Sequence, residues 1–409
     1  MKTVGKFPKR TIRKVPLSAQ TVLLRSDFNV PMKDGKISDD FRIRASLPTI
    51  EKLLKDGCKV VIISHLGRPD GKVNPAYSLE PVAAHLANLL KRDVRFVDAC
   101  VGKKVEMAIK RAPASSVIVL ENLRFHAEEE ANDMEFARRL AHDSGARYFV
   151  QDGFGVVHRA HASTVAITEF LPAVAGLLLE KEYLELNGIM QHPNRPLLAL
   201  LGGAKVSDKI EVISKLVDKA DQIILGGAMA NTFLAYRGHN VQASRYESDQ
   251  AETIKKIYDK VTEKVGEKYL DNFLVLPEDL VVAAKPDDTK GQVVDVDKVP
   301  AGMMALDIGP KSRRRLGAAI ERSSSVIWNG TLGLTEQPAF RLGSATAARE
   351  LAESPNTTSI IGGGDTAGFV ISWDTKHGDS FTHVSTGGGA SLDVLVGKTL
   401  PGVKVLLNA

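Results

Sequence analysis

Short runs of apolar and β-branched residues alternate along the chain with longer amphipathic segments. The segment from Leu79 to Leu90 is an example of the second kind, because apolar residues recur in it at helical spacing, at Val82, Leu86 and Leu89. An alternation of this kind is typical of strand–helix units built around a parallel sheet. The hydrophobic pattern therefore predicts an α/β fold.

The pattern predicts five strands in each half of the chain. In the first half they are residues 21–24, 59–63, 94–97, 117–120 and 147–150. In the second half they are residues 197–201, 222–225, 273–276, 326–328 and 359–361. Between the halves, residues 177–188 form an uninterrupted helical segment, so we expect a helix that joins two domains, with hinge motion at its ends. The lysine- and aspartate-rich residues 285–297 are predicted to form a solvated loop.

Composition places the chain among soluble globular enzymes. Its 409 residues are enough for two domains with separate cores, and 44% hydrophobic and 25% charged residues exclude a disordered or fibrous class. The net charge of +5 is too small and too dispersed to indicate nucleic acid binding. Cys58 and Cys100 are the two cysteines, which offers no zinc spacing and fits a reducing cytosol.

Neither a membrane span nor a secretory signal is expected. Residues 167–179 are apolar, but Glu169 and Pro172 interrupt them. Residues 1–7 have no long apolar core after their charges. We therefore expect a cytoplasmic protein that binds neither membranes nor nucleic acids.

Motifs rich in arginine and histidine recur through the first half, most of them directly after predicted strands. They are Arg25-Ser-Asp-Phe-Asn-Val-Pro31, Asp40-Phe-Arg-Ile-Arg44, His65-Leu-Gly-Arg-Pro69, Leu120-Glu-Asn-Leu-Arg-Phe-His126 and Asp152-Gly-Phe-Gly-Val-Val-His-Arg-Ala-His-Ala-Ser163. Open α/β sheets bind ligands at the carboxyl ends of their strands, so Arg42, His65, Arg68, Arg124 and Arg159 should converge there. Five basic side chains at one edge would repel one another unless an anion neutralised them. The motifs therefore predict a site for a small, multiply charged acid.

Each of these motifs also has a structural interpretation. Asp27 and Asn29 could fix a substrate hydroxyl between a carboxylate and an amide, or could form an Asx-type turn that ends a strand. His65, followed by Gly67 and Pro69, could be a strand-to-loop corner in which the histidine contacts a backbone carbonyl. Basic residues at four separate strand ends favour the ligand site.

Glycine-rich turns recur in the second half. They are Gly202-Gly-Ala-Lys-Val-Ser-Asp-Lys209, Gly226-Gly227, Trp328-Asn-Gly330, Gly362-Gly-Gly-Asp-Thr366 and Ser385-Thr-Gly-Gly-Gly-Ala-Ser391. Glycine lets a phosphate approach the backbone, and a helix N-terminus attracts it, so the turns predict a nucleotide site without a Walker A sequence. The first turn predicts a helix over residues 206–217 with Lys205 and Lys209 on one face. The alternative is a surface pair bridged by Asp208 and Glu211.

Asp365 places a carboxylate among these phosphate-binding turns. Carboxylate and phosphate repel each other unless a hard cation lies between them, so Asp365 is the candidate ligand for Mg²⁺. An ordinary helix N-cap is the alternative role.

In their order, these motifs resemble the phosphoglycerate kinase family from about residue 25 to residue 391. The resemblance implies two similar-sized domains, each a parallel β-sheet flanked by helices, joined by a helix with a hinge. The triose acid would bind to the first domain and the nucleotide to the second. We expect these domains at residues 1–176 and 191–390, the joining helix at 177–190, and a C-terminal segment, 391–409, that returns to the first domain.

The resemblance also implies roles for individual residues. Phosphoglycerate would be bound by Asp27, Phe28, Asn29, Arg42, His65, Leu66, Gly67, Arg68, Arg124 and Arg159. The nucleotide would be bound by Lys209, Gly226, Gly227, Glu336, Gly363, Gly364, Asp365 and Thr366, with Glu336 on the ribose. Arg42, Lys205 and Lys209 would neutralise the phosphoryl group in flight.

The implied reaction is the reversible transfer of the acyl phosphate of 1,3-bisphosphoglycerate to MgADP, giving ATP and 3-phosphoglycerate, in glycolysis and gluconeogenesis. A monomer would carry it out without a nucleophilic side chain. A dinucleotide-dependent oxidoreductase is the first alternative, but Gly-x-Gly-x-x-Gly is missing after the first strand. A non-catalytic metabolite-binding relative is the second, but it would lack Arg42 or Lys209, and both are present.

Four positions depart from the family pattern. Thr331 stands where proline is usual, and Thr335 stands where an apolar or aromatic residue is usual. Ala305 replaces a common glycine and Gly153 a common alanine. None of the four changes removes a charged group.

Overall fold

The computed structural model describes residues 6–409, which form two compact units. One unit comprises the chain through Leu184 together with Gly397–Ala409, and the other comprises Glu185–Val396. The domain bounds predicted above, at residues 176 and 391, stay a prediction. Residues 1–5, where we expect no secretory signal, lie outside the described range.

The first unit contains a six-stranded parallel sheet and a short antiparallel hairpin. Its strands are β1 (Thr21–Arg25), β2 (Met32–Lys33), β3 (Lys36–Ile37), β4 (Lys59–Ile63), β5 (Val94–Val97), β6 (Val117–Leu120), β7 (Tyr148–Gln151) and β8 (Ala173–Ala175). The parallel sheet has the order β5-β6-β4-β1-β7-β8, and β2 pairs with β3. The five strands predicted for this half are confirmed to within one residue at each end.

Six helices accompany these strands. They are α1 (Phe41–Lys55), α2 (Glu80–Leu90), α3 (Lys103–Arg111), α4 (Ala127–Glu130), α5 (Met134–Ser144) and α6 (Leu177–Gln191). The core lies against the sheet, where β1 and β4 bury Leu24 and Ile62 completely. Strands buried in this way need apolar side chains on both faces, which explains their continuous apolar runs.

The second unit repeats this plan and adds a three-stranded antiparallel sheet. Its strands are β9 (Leu197–Leu201), β10 (Gln222–Leu225), β11 (Leu274–Val275), β12 (Asp279–Ala283), β13 (Gln292–Asp295), β14 (Met304–Ile308), β15 (Ser325–Asn329), β16 (Thr358–Gly362) and β17 (His383–Val384). The parallel sheet has the order β11-β10-β9-β15-β16-β17, and the antiparallel one β13-β12-β14. The α/β class with parallel sheets is therefore confirmed.

The helices of the second unit are α7 (Ile210–Lys219), α8 (Gly227–Tyr236), α9 (Ala251–Val265), α10 (Leu270–Phe273), α11 (Pro310–Glu321), α12 (Leu342–Ala352), α13 (Gly364–Trp373) and α14 (Gly389–Val396). Within residues 6–409, no helix combines the length and the apolar character needed to cross a membrane.

Two local predictions for this unit are wrong. The helix predicted from residue 206 begins at Ile210, because the carboxylate of Glu247 accepts hydrogen bonds from the N–H groups of Val206 (2.6 Å) and Ser207 (3.1 Å) and holds them in a turn. The stretch 285–297 is not all loop, since its last part forms β13, which pairs with β12. Residues 292–295 therefore form a strand because β12 is available as a partner, although their composition favours an exposed loop.

The C-terminal segment packs on the first unit. Helix α15 (Pro401–Lys404) begins beside the loop after β7, where the N–H of Gly402 donates to the carbonyl of Val157 (2.9 Å). Farther along, the N–H of Arg10 donates to the carbonyl of Leu407 at 2.7 Å. The ammonium of Lys9 donates to the carbonyls of Lys404 and Leu406, at 2.7 and 2.9 Å. The N-terminal and C-terminal segments thus hold each other in place.

A buried aspartate ties β12 to the start of α11. The Oδ1 of Asp279 accepts from both the N–H (2.8 Å) and the hydroxyl (2.7 Å) of Ser312, and its Oδ2 accepts from the N–H of Lys311 (2.8 Å). These N–H groups belong to the first turn of a helix and have no partner within it. The carboxylate is 1% exposed, so it replaces solvent for these donors.

We predict that Asp279→Ala destabilises the second unit by about 1–3 kcal/mol, because it leaves buried donors without an acceptor. Urea unfolding monitored by circular dichroism would show a lower midpoint. The control is Glu278→Ala, which removes an exposed ion pair with Arg315 and should change stability by less than about 1 kcal/mol. Equal effects of the two substitutions would contradict the assigned role of Asp279.

Candidate active site

In the first unit, the predicted basic residues follow the carboxyl ends of neighbouring strands. His65 comes two residues after β4, Arg124 lies in the turn after β6, and Arg159 lies in the loop after β7. Arg42 lies in the first turn of α1. Arg42 and Arg124 act electrostatically on His65, and Arg68 and Arg159 act on Arg124, so the structure brings these five side chains into one neighbourhood.

Arg42 is held by the loop that follows β1. Its Nη1 lies 3.3 Å from Oδ2 of Asp27 and donates to the carbonyl of Asn29 at 3.0 Å. The N–H of Asn29 donates to Oδ1 of Asp27 (3.1 Å), so the Asx-type turn considered above is present. That turn aims the Asp27 carboxylate at Arg42, and the structural and ligand-binding roles of Asp27 are therefore compatible.

Gly67 links two of the site loops. Its N–H donates to the side-chain oxygen of Asn29 (2.8 Å), and its carbonyl accepts from Nη1 of Arg124 (2.8 Å). The backbone has φ +63, and a Cβ would lie 2.3 Å from the ring of Tyr77, so only glycine fits. Arg124 is also braced by Glu130, whose Oε1 lies 3.2 Å from its Nε.

The remaining residues assigned to phosphoglycerate differ in exposure. Phe28 and Leu66 are buried in the core, so only their backbones could meet a ligand. The N–H of Phe28 is already bound to the hydroxyl of Ser64 (2.9 Å). Arg68 is exposed and Arg159 half-buried, which leaves both guanidinium groups available to an anion from solution.

A buried polar cluster under this site was missed by the sequence reasoning. It consists of Arg25, Glu129 and Ser163, which are each at most 1% exposed, with the two histidines His65 and His161 beside them. Burial together with the neighbouring arginines lowers the pKa of His65 well below its usual range, and lowers the pKa of His161 to about 4. Burial raises the pKa of Glu129, while Arg25 and the hydrogen bonds from Ser163 oppose that shift.

In the second unit, the glycine-rich turns after β9, β10 and β15 pack backbone against backbone. A Cβ on Gly202 would lie 2.1 Å from the carbonyl oxygen of Thr331, and one on Gly227 would lie 2.8 Å from that oxygen and from the N of Gly203. A Cβ on Gly226 would meet Leu332 at 2.7 Å. The chain's own packing therefore accounts for the glycines at 226 and 227.

Lys209 lies over these turns. Its ammonium donates to the carbonyls of Gly202 (2.7 Å) and Asn329 (3.0 Å). Burial lowers the pKa of Lys209 to about 8, although Asp365 and Asp208 oppose the shift. The predicted helical pairing with Lys205 is wrong, because both lysines precede α7.

The start of α13 leaves room for a ligand. Gly364 has no atom within 4 Å of where a Cβ would be, and Asp365 is exposed. Gly363 occupies the N-cap position, so the N-cap role considered for Asp365 is wrong. The hydroxyl of Thr366 accepts from the N–H of Gly330 (2.8 Å), which binds this helix start to the turn after β15.

Asn329 is a further polar residue that the sequence reasoning left without a role. It is 1% exposed, and its Nδ2 makes no hydrogen bond within the described part of the chain. A Cβ on Gly363 would lie 3.4 Å from that nitrogen. Its position at the last residue of β15 was the available signal, since ligands bind at the carboxyl ends of such strands.

Glu336 and Lys205 both lie in loops and are exposed. The loop that contains Glu336 is fixed near its start, because the N–H of Leu334 donates to the carbonyl of Leu306 (2.8 Å). At its other end, Oδ2 of Asp307 accepts from the N–H of Gly343 at 2.9 Å, and burial raises the pKa of Asp307 to about 7.

Two of the four departures from the family pattern have a structural account. Thr331 contributes its carbonyl oxygen, which accepts from the N–H of Gly203 (2.9 Å) and which proline would also supply. A Cβ on Gly153 would lie 3.3 Å from the carbonyl carbon of Ser26, so alanine would require a small shift there. Nothing in the structure explains Thr335 or Ala305.

Comparison with known proteins gives one family at every level. The family model described as phosphoglycerate kinase matches residues 12–398. A phosphoglycerate kinase of Desulforudis audaxviator is 47% identical over 402 residues, which are 98% of this chain and 99% of that protein.

Solved structures give the same result. The phosphoglycerate kinase of Coxiella burnetii superposes with a TM-score of 0.81 at 36% identity, covering 97% of this chain and 98% of that one. That of Pyrococcus horikoshii superposes with a TM-score of 0.82 at 30% identity and the same coverage. Sequence and structure together show that this chain belongs to the phosphoglycerate kinase family.

Proposed function

We propose that the basic loops of the first unit bind 3-phosphoglycerate and that the glycine-rich turns of the second unit bind the nucleotide. As a member of the phosphoglycerate kinase family, the chain catalyses the reversible transfer of the acyl phosphate of 1,3-bisphosphoglycerate to ADP, giving ATP and 3-phosphoglycerate. The observation that carries the substrate assignment is that Arg42 and Arg124 lie near His65, with Arg68 and Arg159 near Arg124.

The charges of this set match the proposed substrate. Phosphoglycerate carries a carboxylate and a phosphate, and guanidinium groups bind both through paired hydrogen bonds. Asp27 adds the carboxylate that a substrate hydroxyl needs as an acceptor. Leu66 and Phe28 would contribute the buried floor that keeps their loops in position.

The second unit supports nucleotide binding through donors rather than cations alone. The N-terminus of α13, the free Nδ2 of Asn329 and the ammonium of Lys209 all suit phosphate oxygens. Gly363 and Thr366 would bring the backbone close to the phosphates, and Gly226 and Gly227 would shape the turn beside them. Glu336 would accept from the ribose.

Mg²⁺ fits this donor set at Asp365. In nucleotide sites Mg²⁺ is bound by one or two carboxylates, by phosphate oxygens and by waters, and Asp365 offers one exposed carboxylate at a helix start. When bound, the ion would neutralise phosphate charge. Among the residues predicted to bind the nucleotide, Asp365 alone would be a ligand of the ion.

The transfer step asks the protein for positioning and for neutralisation of charge. Arg42, Lys205 and Lys209 would supply the positive charge around the phosphoryl group. Direct transfer requires donor and acceptor to meet, so hinge motion at the ends of α6 remains part of the proposal. We also expect a cytoplasmic monomer that acts on small molecules.

The proposal is tested by a coupled assay with 3-phosphoglycerate and MgATP, in which product formation consumes NADH through an added dehydrogenase. Turnover is expected with both substrates and none when either is omitted. Failure to turn over under conditions where the protein is folded would refute the assignment.

We predict that Arg42→Ala lowers kcat by roughly 10² or more and changes the KM for 3-phosphoglycerate much less, because its charge acts mainly in the transition state. Arg44→Ala is the matched control, since Arg44 lies two residues farther along the same helix, is exposed and pairs with Asp40 at 2.8 Å. Steady-state kinetics of both variants would decide. An unchanged kcat for Arg42→Ala would remove this residue from the mechanism.

Asp365→Asn should weaken binding of MgADP while leaving 3-phosphoglycerate binding unchanged, because only the metal complex needs the carboxylate. Titration calorimetry with MgADP, with ADP in excess chelator and with 3-phosphoglycerate would separate the cases. ADP without metal serves as the internal control and should bind both proteins about equally. A loss of affinity for all three ligands would make Asp365 a structural residue.

The pKa of Lys209, about 8, predicts an alkaline decline in activity. Lys209 is protonated below this pH and loses its charge as the pH rises through it, so kcat/KM for the nucleotide should fall above about pH 8. Lys209→Arg keeps its charge and should lack this decline, whereas Lys205→Arg should retain it. A decline that persists in Lys209→Arg would assign the titration to another group.

A further inference from the structure

Arg25 lies beneath the site loops and uses all three nitrogens of its guanidinium. Its Nε donates to the hydroxyl of Ser163 at 2.9 Å, and its Nη1 donates to the carbonyl of Ser26 at 2.6 Å. Its Nη2 lies 3.2 Å from Nδ1 of His65. The side chain is 1% exposed, so these contacts define one orientation.

The contact with Arg25 decides where His65 carries its proton. A guanidinium has only donors, so Nδ1 of His65 must accept and cannot bear a hydrogen. A neutral imidazole with a bare Nδ1 has its proton on Nε2. An imidazolium would direct an Nδ1 hydrogen at Arg25, and the pKa of His65 is lowered in agreement with that conflict.

Glu129 makes the buried arginine tolerable. Its Oε1 lies 3.9 Å from Nη2 of Arg25 and accepts from the hydroxyl of Ser163 at 2.6 Å, while its Oε2 accepts from the N–H of Ser163 at 3.0 Å. A buried cation without a counter-charge is strongly unfavourable. Ser163 thus connects the carboxylate to Nε of Arg25, and the pair is electrically balanced.

We propose that Arg25, balanced by Glu129, is a positioning residue that fixes His65 as a neutral donor with its proton on Nε2, directed at the anionic substrate. This inference rests on the proposed binding of 3-phosphoglycerate at His65. It adds that the histidine contributes a hydrogen bond of fixed polarity and no charge. The four arginines of the site then supply the positive charge, and His65 supplies orientation.

The first experiment uses the unaltered protein labelled with ¹⁵N at histidine. Side-chain nitrogen spectra between pH 6 and pH 8, with and without 3-phosphoglycerate, should show His65 neutral with the proton on Nε2 throughout. The resonance is assigned with His65→Gln. A charged ring, or a proton on Nδ1, in either state would overturn the inference.

The second experiment replaces the buried pair without leaving a lone charge. In Arg25→Met with Glu129→Gln, the amide can still accept from Ser163, but Nδ1 of His65 has lost its donor. We expect the affinity for 3-phosphoglycerate to fall about 10- to 100-fold and the proton of His65 to distribute over both ring nitrogens. The affinity for MgADP should not change.

The matched control makes the same two substitutions in an exposed pair. Arg138→Met with Glu135→Gln removes an ion pair on α5 with N–O distances of 2.6 and 2.7 Å, and it should leave both affinities unchanged. An unchanged affinity in the buried variant, or a loss of affinity with the His65 proton still on Nε2, would overturn the inference.

Failure of the proposed function and failure of the inference about His65 give different experimental results. If the unaltered protein does not bind 3-phosphoglycerate in calorimetry, the proposed function fails, whatever the state of His65. If it binds and His65 has another protonation state, only the present inference fails. Should the buried variant not fold, as judged by circular dichroism, the spectra of the unaltered protein decide alone.

Discussion

In both units, the direction of the strands determines where the loops that carry the motifs lie. Parallel strands need a crossover between each pair, so every carboxyl end in a sheet lies at the same edge. The loops after β1, β4, β6 and β7 must therefore meet, and so must the turns after β9, β10, β15 and β16. This constraint gathers residues more than a hundred positions apart, such as Asp27 after β1 and Arg159 after β7, because these two strands are neighbours in the sheet.

Cations gathered in this way repel one another. In the first unit, a carboxylate lies beside an arginine both in the interior and near the surface. Glu129 is completely buried and balances Arg25, which no ligand can reach. Glu130 is half exposed and lies against Arg124, which faces the site. Arg25 and Glu129 therefore stay paired in the folded protein, because a buried charge left without its partner costs about 3–5 kcal/mol of stability. In the outer pair only the Glu130 carboxylate is in contact with solvent, being 49% exposed, whereas Arg124 is 6% exposed.

The sequence predicts those parts of the fold that are set locally. Most strands of the parallel sheets are visible as largely apolar runs, and β4, β5 and β6 have the predicted bounds, whereas the short edge strands β8 and β17 were not predicted. The motif residues are visible because their chemistry is uncommon at strand ends. The convergence of His65 and Arg124 follows from the sheet rule, whereas Arg42 lies in the first turn of α1 and is held there by Asp27 and the carbonyl of Asn29.

The remaining features depend on partners that are distant in the sequence. Nothing near Val206 shows that Glu247 delays the start of α7, and nothing near Gln292 shows that β12 is available for pairing. Arg25 begins the first motif and Glu129 lies outside every motif, and both are charged residues of the kind usually found at the surface, so the sequence does not show that the fold buries them together. Individual hydrogen bonds between distant residues determine these features, and a pattern along the chain does not record them.

The packing of the C-terminal segment on the first unit has a consequence for the order of events during synthesis. Lys9 and Arg10 emerge from the ribosome first, yet their partners Lys404 to Leu407 follow only after the whole second unit has been made. Synthesis of Glu185–Val396 alone takes roughly 10–40 s at roughly 5–20 residues per second. Throughout it the loop at Val157, next to Arg159, lacks the contact with Gly402. The first unit is therefore the last to be completed, although most of it is translated before the second.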